Sequence, residues 1–261
     1  MVMNPAFSSP DPDRLAADGF ITFDFLEPDE LVFIRSAIAN RLRELNDLPQ
    51  LGCRLSESQW HSSLIDYSGD IRFDHRKISE KRSRMLSGGA LFGFLAFDSL
   101  GKLSRLISQF EISGEESNGN PEVYWRLVRP NQSRDVGPLH ADGWFWQCNN
   151  SWHRPAWAHR RWKVWVAIEN ELGRGGLRVV PGTHLRTDIR YDIRDEGGKK
   201  KPTLFDPSGS VSASSVLLDV AAGQAVLFDD SLVHGGAITQ GRLPRVSLEF
   251  TCLVASEVYG K

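Results

Sequence analysis

Along the first 120 or so residues apolar side chains recur mostly at threes and fours, and beyond them short runs of β-forming residues take over. Asp18-Gly19 leads into FITFDFL, which reads as a strand. Pro28-Asp29-Glu30 then places a proline and two acids where a helix begins. Leu31, Ile34, Ile38, Leu42 and Leu45 make one apolar stripe, which predicts a helix over about 29–47. The stretch 49–79 is polar without a sustained period and reads as loops, whereas 80–112 regains helical spacing, interrupted at Gly88-Gly89.

After residue 120 the β-rich runs are EVYWRLVR (122–129), WKVWVAIE (162–169), GLRVV (176–180), VLLDV (216–220), QAVLFD (224–229) and RVSLEFTCLV (245–254), each bounded by Gly, Pro, Asn or Asp. Many short strands with long polar connections predict a double-sheet sandwich, mainly β with α: a jelly-roll, cupin-like core at 121–254 supported by N-terminal helices at 1–120. No linker or repeat divides the chain, so 1–261 is expected to form one domain. Within it, 186–201 alternates charged residues of both signs with Thr187, Ile189, Tyr191 and Ile193. That pattern predicts an exposed β-ribbon with Gly197-Gly198 at its tip, serving either as a solvated surface loop or as a lid.

Composition narrows the class. Hydrophobic residues make up 41% of the 261, enough for a sizeable core, and 31 Lys+Arg against 33 Asp+Glu leave a formal charge of −2. A nucleic-acid-coating surface is not expected, although the basic and aromatic run 152–163 is a short local exception. Cys53, Cys148 and Cys252 are too few and scattered for a disulfide framework, so a reducing, cytoplasmic setting is expected. The opening MVMNPAFSSPDPDR has no basic or apolar signal-peptide pattern and no stretch of about 18 apolar residues occurs, so neither secretion nor a membrane partner is expected. Oligomeric state is not readable. Of eight tryptophans, seven fall between Trp125 and Trp165, a concentration the overall composition does not explain.

Seven histidines need sorting, and His61, His75, His153 and His159 lie in polar or basic stretches that suit solvated or hydrogen-bonded roles. His140 stands two residues before Asp142, which on an extended strand puts imidazole and carboxylate on one face. Chance supplies about one such pair in a chain of this composition, so the motif is weak alone. His234 follows LFDDSLV and precedes Gly235-Gly236, at a strand end beside a turn; Arg245 and Ser247 follow on one strand face, a fork-shaped cation and a hydroxyl that suit a carboxylate. Two histidines and a carboxylate can hold non-haem Fe(II) on one face of an octahedron and leave the other face open. From residue types alone, the histidines serve equally well as satisfied hydrogen-bonding side chains and Arg245 as a salt-bridged strand residue.

The ordered segments GPLHADGWFW, VAIENELGRGGLRVVPGTH and LFDDSLVHGGAITQGRLPRVSLEF, with DGFITFDFLEPDELVFIRSAI before them, resemble the phytanoyl-CoA dioxygenase family of Fe(II)/2-oxoglutarate oxygenases over about residues 18–254. The resemblance implies iron ligands His140, Asp142 and His234, with Arg245 and Ser247 on the distal carboxylate of 2-oxoglutarate. It also implies consumption of O2, release of succinate and CO2, and hydroxylation of a small-molecule substrate. A carboxylate at 142, where related halogenases carry a small residue, favours hydroxylation. His184 matches the family's P-G-[ST]-H turn and is expected to be structural rather than a ligand.

Three features depart from the family: the aromatic, basic connection between Asp142 and residue 162, the insertion at 186–201, and the lack of any recognisable CoA-binding element. For substrate contacts the candidates are Trp146, where some hydroxylases of this family carry an aromatic contact, Trp144 on the same strand face, and Arg126 and Lys163 on the strands beside Trp125 and Trp165. Such walls suit either an anionic group or a cation stacked on indole. The alternative class is a non-catalytic metal-binding or lectin-like jelly-roll module whose exposed tryptophans stack on sugars.

Overall fold

The computed structural model describes residues 2–3, 11–69, 73–114, 119–148, 157–158, 160–196 and 199–255, and in it the helical and alternating patterns occupy separate layers. Trp152, His153, His159 and the ribbon tip at Gly197-Gly198 lie outside the described residues. Helices α1 (Pro12–Asp18), α2 (Pro28–Glu44), α3 (Glu57–Gly69), α4 (His75–Ser79), α5 (Gly88–Leu95) and α6 (Ser99–Ile107) precede the main strands, while α7 (Asp142–Cys148) and α8 (Ser210–Ala213) lie among them. The strands are β1 (Val2–Met3), β2 (Phe20–Asp24), β3 (Phe110–Ile112), β4 (Val123–Val128), β5 (Arg160–Glu169), β6 (Leu177–Val179), β7 (Arg190–Glu196), β8 (Lys199–Phe205), β9 (Val216–Leu218), β10 (Gln224–Asp229), β11 (His234–Gly236) and β12 (Arg245–Val254).

The larger sheet runs β2-β10-β5-β12-β3, with β4 also paired to β12, and the smaller runs β1-β9-β6-β11. Two facing sheets of this kind form the expected jelly roll, mostly β with helices against one face. Alternation along each strand of the larger sheet decides which layer a side chain joins. Val164, Val166 and Ile168 of β5, Ala225 and Leu227 of β10, and Val246, Leu248 and Phe250 of β12 pack against Ile34, Ile38 and Leu42 of α2 and Trp60 and Leu64 of α3. The opposite face gives Trp165, Ala167, Val226 and Phe228 to a second cluster with Leu177, Val179 and Leu218 of the smaller sheet.

Capping chemistry fixes where the early elements begin and end. Asp11 caps α1 by accepting from the Asp13 amide at 3.0 Å, and Gly19 ends it at φ +84°, donating to the Leu15 carbonyl. A Cβ at Gly19 would lie 2.4 Å from the His184 ring, so glycine is required there on two counts. At α2 the Glu30 carboxylate accepts from the Glu27 amide at 2.8 Å, closing a capping box.

Part of the N-terminal reading needs correcting. The segment 49–79, expected to be loops, contains α3 and α4. Trp60, Leu64 and Tyr67 do form a stripe at fours and threes, all buried, but Ser, His and Asp between them dilute the signal, and packing on the sheet supplies the stability that local propensity lacks. Gly88-Gly89 opens α5 rather than breaking a helix.

The expected ribbon is present as β7 and β8, paired antiparallel from Arg190 opposite Phe205 to Glu196 opposite Lys199. It is docked on the body: the Leu204 amide donates to the Leu139 carbonyl at 2.8 Å, and Tyr191 stacks on Trp144 with ring centroids 4.9 Å apart.

One buried carboxylate ties the helical layer to the sheet. Glu169, at the end of β5, accepts from the Trp60 indole at 2.7 Å and from Arg35 at 3.0 Å, while Arg35 Nε donates to the Ile168 carbonyl at 3.1 Å. Replacing Glu169 by Ala leaves Arg35 buried without its partner, at a cost of about 3–5 kcal/mol. Urea unfolding of metal-free E169A is expected to show the lower midpoint with an unchanged slope.

Candidate active site

β11 is an edge strand of the smaller sheet, and its first residue, His234, forms a two-bond antiparallel bridge with His140: each backbone amide donates to the other's carbonyl, at 2.9 and 2.8 Å. This pairing, rather than a common strand, brings two residues 94 positions apart side by side, with ring centroids 4.6 Å apart. Asp142 arrives differently from the expected extended strand. It is the first residue of α7, whose start is fixed by the Gly143 amide donating to the Asp230 carbonyl at 2.8 Å.

The carboxylate nevertheless turns toward both rings, with Oδ1 3.5 Å from His140 Nε2 and Oδ2 3.8 Å from His234 Nε2. One ligand atom from each of the three lies within 4.8 Å of the others. Neighbouring ligands about 2.1 Å from one metal ion sit about 3 Å apart, so small side-chain rotations close this set around an ion. Second contacts orient both imidazoles. His140 Nδ1 donates to the Pro138 carbonyl at 2.8 Å and His234 Nδ1 to the Leu232 carbonyl at 2.9 Å, because a carbonyl only accepts; each Nε2 is left with its lone pair toward Asp142.

Charge follows from burial and neighbours. Burial alone would raise the Asp142 carboxyl, but Lys163, with Nζ 3.1 Å away, and the two imidazoles together hold it well below the usual carboxylate range. Burial pushes His234 down to about 4 against the opposing pull of Asp142, so near neutral pH its ring carries no proton that a metal must displace.

Arg245 and Ser247 share the inward face of β12, as expected, and both are buried. Here the pairing of β12 with β5 shifts register between Val246 and Ser247, leaving Ile168 as the extra residue of a bulge. Arg245 Nε and Nη2 and Ser247 Oγ are buried without a hydrogen-bond partner, and the guanidinium lies 5.6 Å from the Trp165 ring centroid. Burial, with Arg126 adding to it, pushes Arg245 down to about 10, which still leaves it charged near neutral pH. Gly236 makes room for it: a Cβ there would stand 3.1 Å from Nη2.

His140, Asp142, His234 and Arg245 line one cavity of about 980 Å³, together with Arg126, Trp146 and Lys163. Ser247 sits behind its wall. Arg126 is bonded to Glu249 at 3.1 Å, and Lys163 contacts Thr251 as well as Asp142. Trp144 does not line the cavity; on a helix it no longer shares a face with Trp146, and it carries the ribbon's Tyr191 instead. Trp125 and Trp162 belong to the helix–sheet core, so of the clustered, described tryptophans only Trp146 and Trp165 line the cavity. His184 donates from Nε2 to the Ala16 carbonyl at 3.1 Å and is structural. Glu249 and Arg84 also line the cavity and were missed. Continuing the alternation Arg245, Ser247 by two residues finds Glu249, whereas nothing in KRSRM marks Arg84.

Known structures share this fold. EvdO2 from Micromonospora carbonacea var. aurantiaca superposes with a TM-score of 0.62 at 17% identity, covering 100% of this chain and 96% of that one. EctD from S. alaskensis, solved with 2-oxoglutarate and 5-hydroxyectoine, gives 0.55 at 18% identity over 93% of this chain and 74% of that one. The non-heme monooxygenase ThoJ gives 0.60 at 12% identity over 93% and 76%. No curated protein sequence matches significantly. At these identities the structures establish a shared fold. The sequence model of the phytanoyl-CoA dioxygenase (PhyH) family matches residues 18–245, nearly the whole described chain. The chain therefore belongs to the phytanoyl-CoA dioxygenase family and is an oxygenase dependent on iron(II), 2-oxoglutarate and O2.

Proposed function

We propose that this chain hydroxylates a C–H bond of a small-molecule metabolite, with His140, Asp142 and His234 holding iron(II) and Arg245 and Ser247 holding the distal carboxylate of 2-oxoglutarate. One observation carries the reading: in a single cavity wall, convergent imidazole and carboxylate atoms lie with a buried guanidinium that lacks a partner, and a buried hydroxyl without a partner stands just behind it. A buried cation without a counter-charge is costly, and a dicarboxylate cosubstrate removes that cost.

When bound, iron and 2-oxoglutarate supply the oxidation, in which O2 gives one oxygen atom to succinate and the other to the substrate as CO2 leaves. The chain's own residues prepare that chemistry. The Nδ1 hydrogen bonds fix both ring tautomers, and Lys163 keeps Asp142 ionised. Arg245, positioned by the bulge and by Gly236, offers a two-donor fork to one carboxylate. Phe228 and Trp165 in the same lining keep water away from the reacting centre. Trp146, Arg126 and Lys163 face the space left for substrate, and Trp144 acts through the ribbon.

The lectin-like alternative needs exposed stacking rings, and among the described tryptophans only Trp157 is exposed, at 38%. The chain acts as one domain in which the helices of residues 1–120 support the core at 121–254, while β1, β2 and β3 from the same stretch join its sheets. Cys53, Cys148 and Cys252 are all unpaired, which supports a cytoplasmic setting, and no described helix is long and apolar enough to cross a membrane.

Anaerobic addition of iron(II) and 2-oxoglutarate is expected to give a weak visible charge-transfer band; bound iron without the band refutes the oxygenase reading. H140A and H234A are each expected to lose stoichiometric iron, measured by metal analysis after desalting. Arg245→Ala should weaken 2-oxoglutarate binding by about 2–5 kcal/mol, followed by titration of the same band. Wild-type affinity in R245A would remove Arg245 from the site.

A further inference from the structure

The cavity is far more basic than the chain that builds it. Among the described residues lining it, ten are Lys or Arg and five are Asp or Glu, while the whole chain has a formal charge of −2. This field repels cations and concentrates anions.

Three of the ten cations pair with a lining acid, among them Arg129 with Asp135 at 2.7 Å. Glu249 pairs with Arg126 at 3.1 Å, and Asp142 with Lys163 at 3.1 Å. On the proposed function, on which this inference rests, one carboxylate of 2-oxoglutarate gives the Arg245 guanidinium its partner. Arg84 is left over. It forms no ion pair with any described residue, and its Nε is buried without a hydrogen-bond partner.

The fold holds Arg84 there. It ends a short 3-10 turn, Arg82–Arg84, and the next two residues lock onto β4: Met85 bridges Tyr124 and the Leu86 amide donates to the Val123 carbonyl at 2.8 Å. Arg84 is thereby fixed near Arg126, the inward residue two positions beyond Tyr124. Burial first, and the charge of Arg126 second, lower the Arg84 pKa against the weaker opposing pull of Glu249 and Tyr124, as expected of two cations that share a low-dielectric wall and one carboxylate. An anion between them relieves both the repulsion and the unmet donor, and Arg126 reaches it while keeping Glu249 through another guanidinium nitrogen.

We propose that the substrate is a small molecule bearing a carboxylate or phosphate group, and that this group docks on Arg84 and Arg126, fixing which C–H bond faces the iron site. The aromatic walls then contact the uncharged remainder of the molecule. A cation stacked on indole, which the sequence left open, is disfavoured by the same field.

Inorganic phosphate and acetate, titrated separately by calorimetry into iron- and 2-oxoglutarate-loaded protein without O2, test the assignment and separate the two anion types. Saturating 2-oxoglutarate keeps Arg245 occupied. At least one probe is expected to bind the wild type without displacing 2-oxoglutarate, to bind R84Q roughly tenfold more weakly or worse, and to recover partly in R84K. Binding of equal strength to R84Q, displacement of 2-oxoglutarate by the probe, or no binding of either probe overturns the inference. The charge-transfer band is read in the same samples, so failure of the oxygenase reading appears as loss of the band in the wild type and failure of the anion site as a flat titration with the band intact.

Discussion

β12 sits between β5 and β4 and has to satisfy two unlike layers at once. One face, Val246, Leu248, Phe250, Cys252 and Val254, closes the core beneath the helices; the other carries Arg245, Ser247, Glu249 and Thr251 toward the cavity. A slip of one residue would drive an arginine into the helix–sheet core and a phenylalanine toward the cosubstrate. Register is therefore the constraint on which both the fold and the site depend. Two long ladders and a bulge at Ser247 hold it.

The same arrangement explains why polar groups tolerate such burial. Glu249 is held down to about 2: burial opposes ionisation, but Arg126, Lys163 and Arg84 outweigh it. The wall behind the site is a charge network in which each carboxylate answers to several cations, leaving a positive excess for ligands to neutralise. The helical layer contributes at a distance. Through Trp60, Arg35 and Glu169 it clamps the end of β5 beside the bulge, so helix packing and the placement of Arg245 are mechanically linked.

The ribbon relates the sequence's unusual insertion to the site. Its basic residues Arg194, Lys200 and Lys201 join the cavity lining, while Tyr191 on Trp144 and the Leu204 amide on Leu139 fasten it near His140. A tryptophan expected to touch substrate instead positions the element that shapes the cavity mouth. Five of the six described tryptophans of the cluster thus divide among three tasks: Trp125 and Trp162 in the core, Trp146 and Trp165 at the cavity, and Trp144 under the ribbon.

Strand alternation, the α2 stripe and the ordered motifs around His140, His234 and Arg245 were legible in the chain because each is a local period or a short spacing. Those signals determined the jelly roll, the ribbon, the shared face of Arg245 with Ser247 and the family resemblance. What periodicity could not carry was any relation set by packing. α3 forms because its sparse stripe finds a sheet; Asp142 opens a helix because Gly143 bonds to Asp230; the two histidines meet through a backbone bridge across 94 residues. Arg84 is the clearest case, since a lone arginine in a polar turn acquires meaning only when β4 pins that turn beside Arg126. The sequence by itself determined which residue types and local conformations were available; tertiary structure decided which became neighbours, because burial and electrostatic pairing depend on distance in space and not on distance along the chain.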